Sequence, residues 1–165
     1  MPAAPISFEA SYSPESIREA CFAFRDYRAR KYGAVMIAAC AINVLGLALV
    51  VWAGAKVDLA LHFMIFVAAV GPLFVLYEHF VGPHKYCFKL GAVLAPAGNV
   101  SVGPETITLP GKRGEIVFPW AIVKAVVETP GHFLLILSPF SSYFVPRTGM
   151  PAAASDALRS KIRSE

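Results

Sequence analysis

The stretch from Gly33 to Ala53, GAVMIAACAINVLGLALVVWA, contains no charged residue, and it decides how the rest of the chain is interpreted. At about 1.5 Å of rise per residue, a helix over this stretch reaches about 31 Å, and the hydrocarbon core of a bilayer is about 30 Å thick. The Leu, Ile and Val side chains that dominate it each favour insertion by about 0.3–0.6 kcal/mol near the membrane centre. The sequence therefore predicts a transmembrane helix over residues 33–53.

A second apolar stretch of similar length runs from Leu59 to Val81, LALHFMIFVAAVGPLFVLYEHFV, and its one charged residue, Glu78, lies near its end. Only residues 54–58, GAKVD, separate the two stretches. So short a connection makes the two helices antiparallel neighbours. We therefore predict a transmembrane hairpin with spans at 33–53 and 59–81.

Basic residues flank the hairpin on one side. Lys56 is the one basic residue in the loop, whereas several precede the first span or follow the second: Arg18, Arg25, Arg28, Arg30, Lys31, Lys85 and Lys89. The positive-inside rule then predicts a multi-pass protein of a cytoplasmic membrane with both termini in the cytoplasm. The first 32 residues hold four acidic residues and no apolar core near their start, so no signal peptide is expected.

The composition excludes several classes of protein. With 56% hydrophobic and 16% charged residues, the chain is too apolar for an ordinary soluble domain. Its net charge of +4 lies beside the apolar stretches and is not interleaved with aromatic residues, so no nucleic-acid partner is expected. The three cysteines are odd in number and lack CxxC spacing, which argues against a disulfide framework and against a zinc site.

Polar and helix-breaking residues interrupt both predicted spans near their centres. Asn43 lies in the first span, and Gly71 and Pro72 lie in the second. Because Pro72 cannot donate to the carbonyl of Ala68, that acceptor is free, and we hypothesise that the Asn43 amide donates to it. A bond from Asn43 to some other backbone group or to another subunit stays open as the alternative. Small residues such as Ala68 and Gly71 permit close helix packing.

The N-terminal segment, residues 1–32, is predicted to hold a strand and an amphipathic helix. Residues 6–12 alternate between apolar and polar, which is typical of a strand. Ser13, Pro14 and Glu15 then supply an N-cap, a proline at the first helical position and an acidic first turn. The helix that they start is predicted to lead into the first span.

The C-terminal segment, residues 82–165, changes to short apolar runs punctuated by Gly and Pro. This pattern predicts strands over residues 86–94, 100–102, 105–109, 115–118, 122–128, 132–137 and 142–145. Such a meander is expected to curl into a small barrel or sandwich. A terminal helix over residues 151–163 can cover one of its faces. The predicted fold class is an α+β membrane protein with a mainly β cytoplasmic domain.

Four short motifs in this segment resemble the C-terminal module of the YcxB-like membrane proteins: EIVFPW at 115–120, KAVVET at 124–129, HFLL at 132–135 and FVPR at 144–147. The resemblance implies a bacterial cytoplasmic-membrane protein with an N-terminal strand and helix, a transmembrane hairpin and a β domain like that of pleckstrin-homology (PH) proteins. One feature differs, because apolar residues 121–123 follow Trp120 where the family usually carries polar or acidic residues. The resemblance implies no activity.

The sequence contains no catalytic or cofactor-binding motif. GxSxG, HExxH, Walker and GxGxxG patterns do not occur, and the acidic residues of the C-terminal segment are scattered singly. His62, His79 and His84 invite a metal or haem interpretation. However, His62 and His79 would lie about 25 Å apart along one helix and could not share a metal. We therefore expect a non-enzymatic protein without a cofactor.

The remaining candidates are residues that could contact a partner. Trp120 is either a core or turn-locking residue or an anchor in an interface, where Trp is often a hot spot. Lys112, Arg113 and Arg147 are either solubility charges or cations that meet lipid headgroups. Besides the lipid bilayer, the expected partner is a protein or a second copy of the chain. The predicted function is an accessory or regulatory subunit of a larger membrane complex, and the alternatives are a lipid-headgroup sensor and a component of a membrane enzyme or transporter.

Overall fold

The computed structural model describes residues 4–52 and 59–162, which divide into two compact units. The first, here called the β unit, combines Met1–Phe24 with Lys85–Glu165, and the second, the apolar unit, is Arg25–His84. The chain is therefore an α+β protein with one long apolar helix near its N-terminus and a β-sheet domain that carries a C-terminal helix.

The N-terminal elements form as the sequence predicts. Strand β1 covers Ile6–Ser11, and helix α1 begins at Pro14. The Ser16 backbone N–H donates to Ser13 Oγ over 3.1 Å, which confirms the predicted N-cap. Helix α1 then continues without interruption over Pro14–Trp52, so the predicted amphipathic helix and the predicted first span form one helix of 39 residues.

The predicted strand over residues 86–94 is wrong, because this segment lies in helix α3, Gly82–Val93. A strand would place Tyr86, Phe88 and Leu90 on one face, yet Leu90 is buried and Phe88 is 81% exposed. Tyr86, Leu90 and Leu94 recur every four residues, and both leucines are buried, so the helical period describes this segment. A short apolar run allows either period, and packing decides between them.

Among the described residues of the β unit, seven strands build two antiparallel sheets. The first sheet has the order β1-β2-β3-β4, in which β2 is Ala97–Val102, β3 is Thr106–Gly111 and β4 is Gly114–Pro119. The second has the order β5-β6-β7, with strands at Ala125–Glu128, His132–Ser138 and Ser141–Pro146. A short 3-10 helix, Trp120–Ile122, joins the sheets, so β5 begins later than the predicted strand over 122–128.

Aromatic contacts join the two sheets into one core. Tyr12, directly after β1, meets Phe144 of β7 with ring centroids 5.3 Å apart, and Phe118 of β4 meets Tyr143 of β7 at 4.7 Å. Helix α4, Ala152–Arg159, confirms the predicted terminal helix, although it is shorter. It buries Ala154 and Leu158 and packs against β1, β2 and β5.

The apolar unit contains most of α1 and all of helix α2, Leu59–Phe80, with Pro72 inside it. The predicted loop 54–58 lies outside the described residues. A Cβ added at Gly71 would lie 3.8 Å from Cys40 Sγ, so the two helices contact each other there. Within residues 4–52 and 59–162, one helix, Pro14–Val50, is long and apolar enough to cross a membrane.

Candidate interaction surface

Trp120 is held at the junction between the two sheets. Strand β4 ends at Pro119, and the short helix that follows turns the indole toward the connection between β2 and β3. The indole Nε1 donates to the Gly103 carbonyl over 2.9 Å, and the Trp120 backbone N–H donates to the Glu105 carbonyl over 2.9 Å. These two bonds lock the turn, which is the structural role that the sequence allowed for Trp120.

The Trp120 ring is also half-exposed, and one cationic side chain lies over it. Lys161 Nζ lies 5.4 Å from the ring centroid and donates to the Pro104 carbonyl over 3.2 Å, a cation–π arrangement that fixes the ring plane. Val117 and Ile122, three residues before and two after Trp120, are 52% and 48% exposed. We call Val117, Trp120 and Ile122 the Trp120 surface. It is apolar and accessible, and its indole is held in place by a hydrogen bond.

Lys112 and Arg113 form the tip of the β3–β4 hairpin. Gly111 pairs with Gly114, so the two cations are the whole of a two-residue turn, and both are exposed. Gly114 has φ +126°, which other residues rarely adopt, and a Cβ at Gly111 would lie 2.5 Å from the Gly114 carbonyl oxygen. The Lys112 backbone N–H donates to the Val93 carbonyl over 2.9 Å, so the tip is anchored to the end of α3.

Arg147 lies in a different environment from the hairpin cations, because three groups of the second sheet bind it. Its Nη1 lies 3.1 Å from the Glu128 carboxylate and donates to the Thr129 carbonyl over 3.1 Å. Its guanidinium also lies 5.7 Å from the centre of the Phe133 ring. Among the described residues, Arg147 therefore contacts the β5–β6 turn, whereas Lys112 contacts the end of α3, and no described contact brings these cations together.

Glu128 also binds Arg159 of α4, a contact that the sequence analysis missed. The Arg159 guanidinium donates to both carboxylate oxygens of Glu128, over 2.8 and 3.0 Å, and these hydrogen bonds lower the pKa of Glu128. Beside this group lies a cleft of about 280 Å³, lined by Arg147, Met150, Ala152, Ser155, Asp156 and Arg159. Residues 31 positions apart in sequence carry no local signal of such a contact.

His132 forms a second contact that sequence reasoning missed. Its Nε2 lies 3.1 Å from Ser16 Oγ, and its ring packs edge-on against Phe144 with centroids 5.1 Å apart. Burial lowers the pKa of His132, and the charge of Glu19 opposes this effect. A Ser–His pair can serve as nucleophile and base, but this histidine is buried against an aromatic ring. The pair instead holds the first turn of α1 on β6.

The predicted packing positions of the apolar unit lie on its two helices. Asn43 Nδ2 donates to the Ala39 carbonyl over 2.7 Å, a bond within its own helix and therefore the alternative to the hypothesised bond to the Ala68 carbonyl. Gly71 gives α1 and α2 their contact at Cys40, and Pro72 lies in the middle of α2. Ala68 is in α2, and its side chain lies outside the described atoms.

The part of the chain that the structure describes contains no group of three His, Cys, Asp or Glu side chains that could hold a metal ion. His62 lies in α2 and His84 lies in α3, and both have interaction partners. His79 is also in α2, but its side chain lies outside the described atoms.

One comparison with known proteins identifies the C-terminal part of the chain. Residues 102–162 match the model of the YcxB-like protein family, which confirms the resemblance carried by the four motifs. The matched segment includes strands β3 to β7, helix α4 and all four candidate interaction residues, Lys112, Arg113, Trp120 and Arg147. No curated protein and no solved structure shows significant similarity to the chain.

Proposed function

We propose that this chain, whose residues 102–162 match the YcxB-like family, is a non-enzymatic integral membrane protein. Residues 33–53 and 59–81 form a transmembrane hairpin, and both termini lie in the cytoplasm. The β unit is a PH-like module that binds another protein through the Trp120 surface. In this role the chain is an accessory or regulatory subunit of a larger membrane complex.

The exposure of the apolar side chains carries the membrane part of this proposal. The most apolar 18-residue window of α1 has a mean hydropathy of 2.3, and 0% of it is buried by the rest of the protein. Burying apolar surface is worth about 25 cal/mol per Å², and soluble proteins rarely expose such continuous apolar surface. A core helix of a soluble protein would be covered by its own chain, so lipid is the cover that fits this helix.

Three further features support the hairpin. Helix α2 is 22 residues long, which is long enough to cross a bilayer. The Cys40–Gly71 contact brings α1 and α2 together, as antiparallel spans with a five-residue connection require. Trp52, at the end of α1, is 86% exposed and is a residue type enriched at the interface between membrane and water. The excess of Lys and Arg outside the hairpin supports cytoplasmic termini.

The topology of the β unit supports a PH-like module. The β unit has sheets of four and three antiparallel strands and a C-terminal helix, and the family resemblance implies a PH-like β domain in this part of the chain. Because a fold alone does not define a function, the interaction role rests on the Trp120 surface. Hydrogen bonds and Lys161 already fix the indole, so a partner would bind it with little loss of side-chain entropy.

The test is purification of the tagged full-length protein from its own membranes in mild detergent, with quantification of the proteins that accompany it. We expect one partner at a fixed ratio. The substitution Ile122→Ser should release that partner while leaving the thermal unfolding temperature nearly unchanged. The control is Phe140→Ser, which removes an exposed aromatic side chain from the β6–β7 turn and should retain the partner. Recovery of the chain alone would contradict the subunit role.

A second function, lipid-headgroup binding, is favoured by one observation. Lys112 and Arg113 are exposed together at an anchored hairpin tip, and each cation near an anionic leaflet contributes about 1 kcal/mol of attraction. Arg147 supports it less, because its guanidinium is already engaged by the Glu128 carboxylate and the Thr129 carbonyl.

Acetylation of lysines tests this second function in full-length protein reconstituted into nanodiscs. If the tip meets headgroups, Lys112 is acetylated more slowly in anionic than in zwitterionic bilayers, and added salt removes the difference. Lys124, which is exposed at the start of β5, is the control and should react equally in both lipids. Equal rates for Lys112 in the two lipids would rule out headgroup binding by this tip.

A further inference from the structure

Helices α1 and α3 pack against each other inside the β unit. Two contacts join them, Ile17 to Gly91 and Phe24 to Tyr86, and Cys21 and Cys87 lie between these contacts on the facing helices. At the first, a Cβ added at Gly91 would lie 3.8 Å from Ile17 Cδ1, and at the second the ring centroids are 5.5 Å apart. Residue numbers rise along α1 as they fall along α3, so the helices are antiparallel. Cys21 lies about one turn from both Ile17 and Phe24, and Cys87 lies about one turn from Gly91 and next to Tyr86.

Two thiols lie between these contacts. Cys21 is 1% exposed, and Cys87 is half-buried on the facing helix. Burial raises the pKa of the Cys21 thiol, and the neighbouring Cys87 raises it further, so Cys21 stays protonated at neutral pH. The contacts at Gly91 and Tyr86 hold the two helices on either side of the pair. Approach of the two sulfur atoms is therefore built into the helix packing.

We propose that Cys21 and Cys87 are the two halves of a reversible intrachain disulfide that forms in response to peroxide. The pair is separate from the Trp120 surface, and the proposal rests on the cytoplasmic location proposed above but not on the function assigned to that surface. In a reducing cytoplasm, disulfides are usually transient and redox-sensing, so the bond is a switch and not a permanent brace.

The chemistry needs one equivalent of hydrogen peroxide. The half-buried Cys87, as its thiolate, attacks one peroxide oxygen and breaks the O–O bond. The product is Cys87 sulfenic acid together with hydroxide, which takes the proton released by the thiol and becomes water. The Cys21 sulfur then attacks the sulfenic sulfur, the S–S bond forms, and the leaving hydroxide takes the Cys21 proton as a second water. Both sulfurs are oxidised by one electron each, and both peroxide oxygens are reduced to water. A dithiol reverses the bond by exchange.

A disulfide between Cys21 and Cys87 would connect the two ends of the apolar unit, because of where the two cysteines lie in the chain. The chain passes between the two units at residues 24–25 and 84–85, within a few residues of Cys21 and Cys87 respectively. A bond between them closes a loop that contains the whole of Arg25–His84. It therefore ties together the two ends of the apolar unit and restricts any motion that separates them.

The test uses the full-length Cys40→Ser protein in mild detergent, because Cys40 is the third cysteine and lies in the apolar unit. Treatment with peroxide should remove both remaining thiols, and mass spectrometry of a digest should show the Cys21 and Cys87 peptides joined. Dithiothreitol should restore both thiols. The reaction should be faster at pH 9 than at pH 7, since the thiolate is the nucleophile. The oxidised protein should also unfold at a higher temperature than the reduced protein.

Two variants in the same Cys40→Ser background serve as controls. With Cys87→Ser, the buried Cys21 should remain a thiol, and with Cys21→Ser, Cys87 should be oxidised without a joined peptide. If either variant fails to fold, the peptide analysis of the wild-type chain still decides the matter. Oxidation of Cys87 alone, dimers linked through Cys87, or two thiols that both survive peroxide would each overturn the proposal.

Discussion

The β unit and the apolar unit are both rich in hydrophobic side chains, but they do opposite things with them. In the β unit, Phe144 is 1% exposed and packs against Tyr12 and His132, whereas in the apolar unit Phe63 is 66% exposed. In the β unit the apolar side chains are buried against one another, and in β6 five consecutive residues, 132–136, are buried. The apolar unit is hydrophobic on all sides of its helices, and two helices alone cannot cover all of those sides. Hydrophobic side chains therefore stabilise the β unit by packing against one another. Those of the apolar unit need an apolar surrounding from outside the unit.

The largest expected effect tests whether only one unit has a protein core. The substitution Phe144→Ala should lower the free energy of unfolding by about 3–5 kcal/mol, because it leaves a cavity between the two sheets. The matched substitution Phe63→Ala should cost less than about 1 kcal/mol in detergent. Chemical denaturation followed by circular dichroism measures both. An equal cost for Phe63→Ala would mean that the apolar unit has a packed interior of its own.

The next effect tests what covers the apolar unit. Leu45 and Val117 are both exposed, one on α1 and one on the edge strand β4. If lipid surrounds Leu45, Leu45→Lys should cost about 2.5–3.5 kcal/mol of insertion free energy. Val117→Lys should change stability by less than about 0.5 kcal/mol, because water already surrounds that position. The readout is the protein left in the membrane after an alkaline carbonate wash. Equal retention of both variants would contradict a lipid-covered α1.

A third prediction compares the loss of stability when one hydrogen-bonding side chain is removed from each unit, Tyr86 from the β unit and Asn43 from the apolar unit. Tyr86 Oη accepts the Ser142 backbone N–H over 2.6 Å and donates to the Ser142 carbonyl, so it closes the edge of β7 against α3. The substitution Tyr86→Phe should cost about 1–3 kcal/mol, since it leaves those backbone groups unpaired. Asn43→Leu should cost nothing or be stabilising, because Asn43 donates within its own helix. A clear loss of stability for Asn43→Leu, measured by thermal unfolding, would instead support the bond to the Ala68 carbonyl.

The smallest effect depends on pH. Burial lowers the pKa of His132 in the folded protein below its unfolded value of about 6.5, so protonation favours the unfolded state. The contribution of His132 to the free energy of unfolding should therefore be constant above about pH 6.5 and should decrease as the pH drops below that value. The unfolding temperature measured from pH 7.5 to 5 should show this loss, and His132→Gln should weaken it. An unchanged slope in that variant would assign the acid sensitivity to other groups.

Most of the fold could be predicted because the signals for it are local. Alternation gave β1, and short apolar runs between Gly and Pro gave most of the later strands. Ser13 and Pro14 gave the start of α1. The strand predicted at 86–94 failed because a short apolar run fits both the strand and the helical period. Only the buried Leu90 and the exposed Phe88 show which period applies.

The candidate site was less predictable than the fold. Trp120 could be selected by residue type, but its bond to Gly103 depends on how β2, β3 and β4 pair. Arg147 could be selected as a loop cation, yet its partner Glu128 comes from another strand. The Ser16–His132 contact joins residues 116 positions apart, and no spacing rule connects them.

The sequence by itself determined the apolar helices, the caps, the turns and most of the strands, because these depend on chain stiffness, hydrogen-bonding groups and hydrophobic period over a few neighbouring residues. Tertiary structure decided which elements meet. It paired β1 with β2, which the whole apolar unit separates in sequence, and it placed Cys21 near Cys87. These pairings follow from which surfaces can be buried at the same time, and no single segment contains that information.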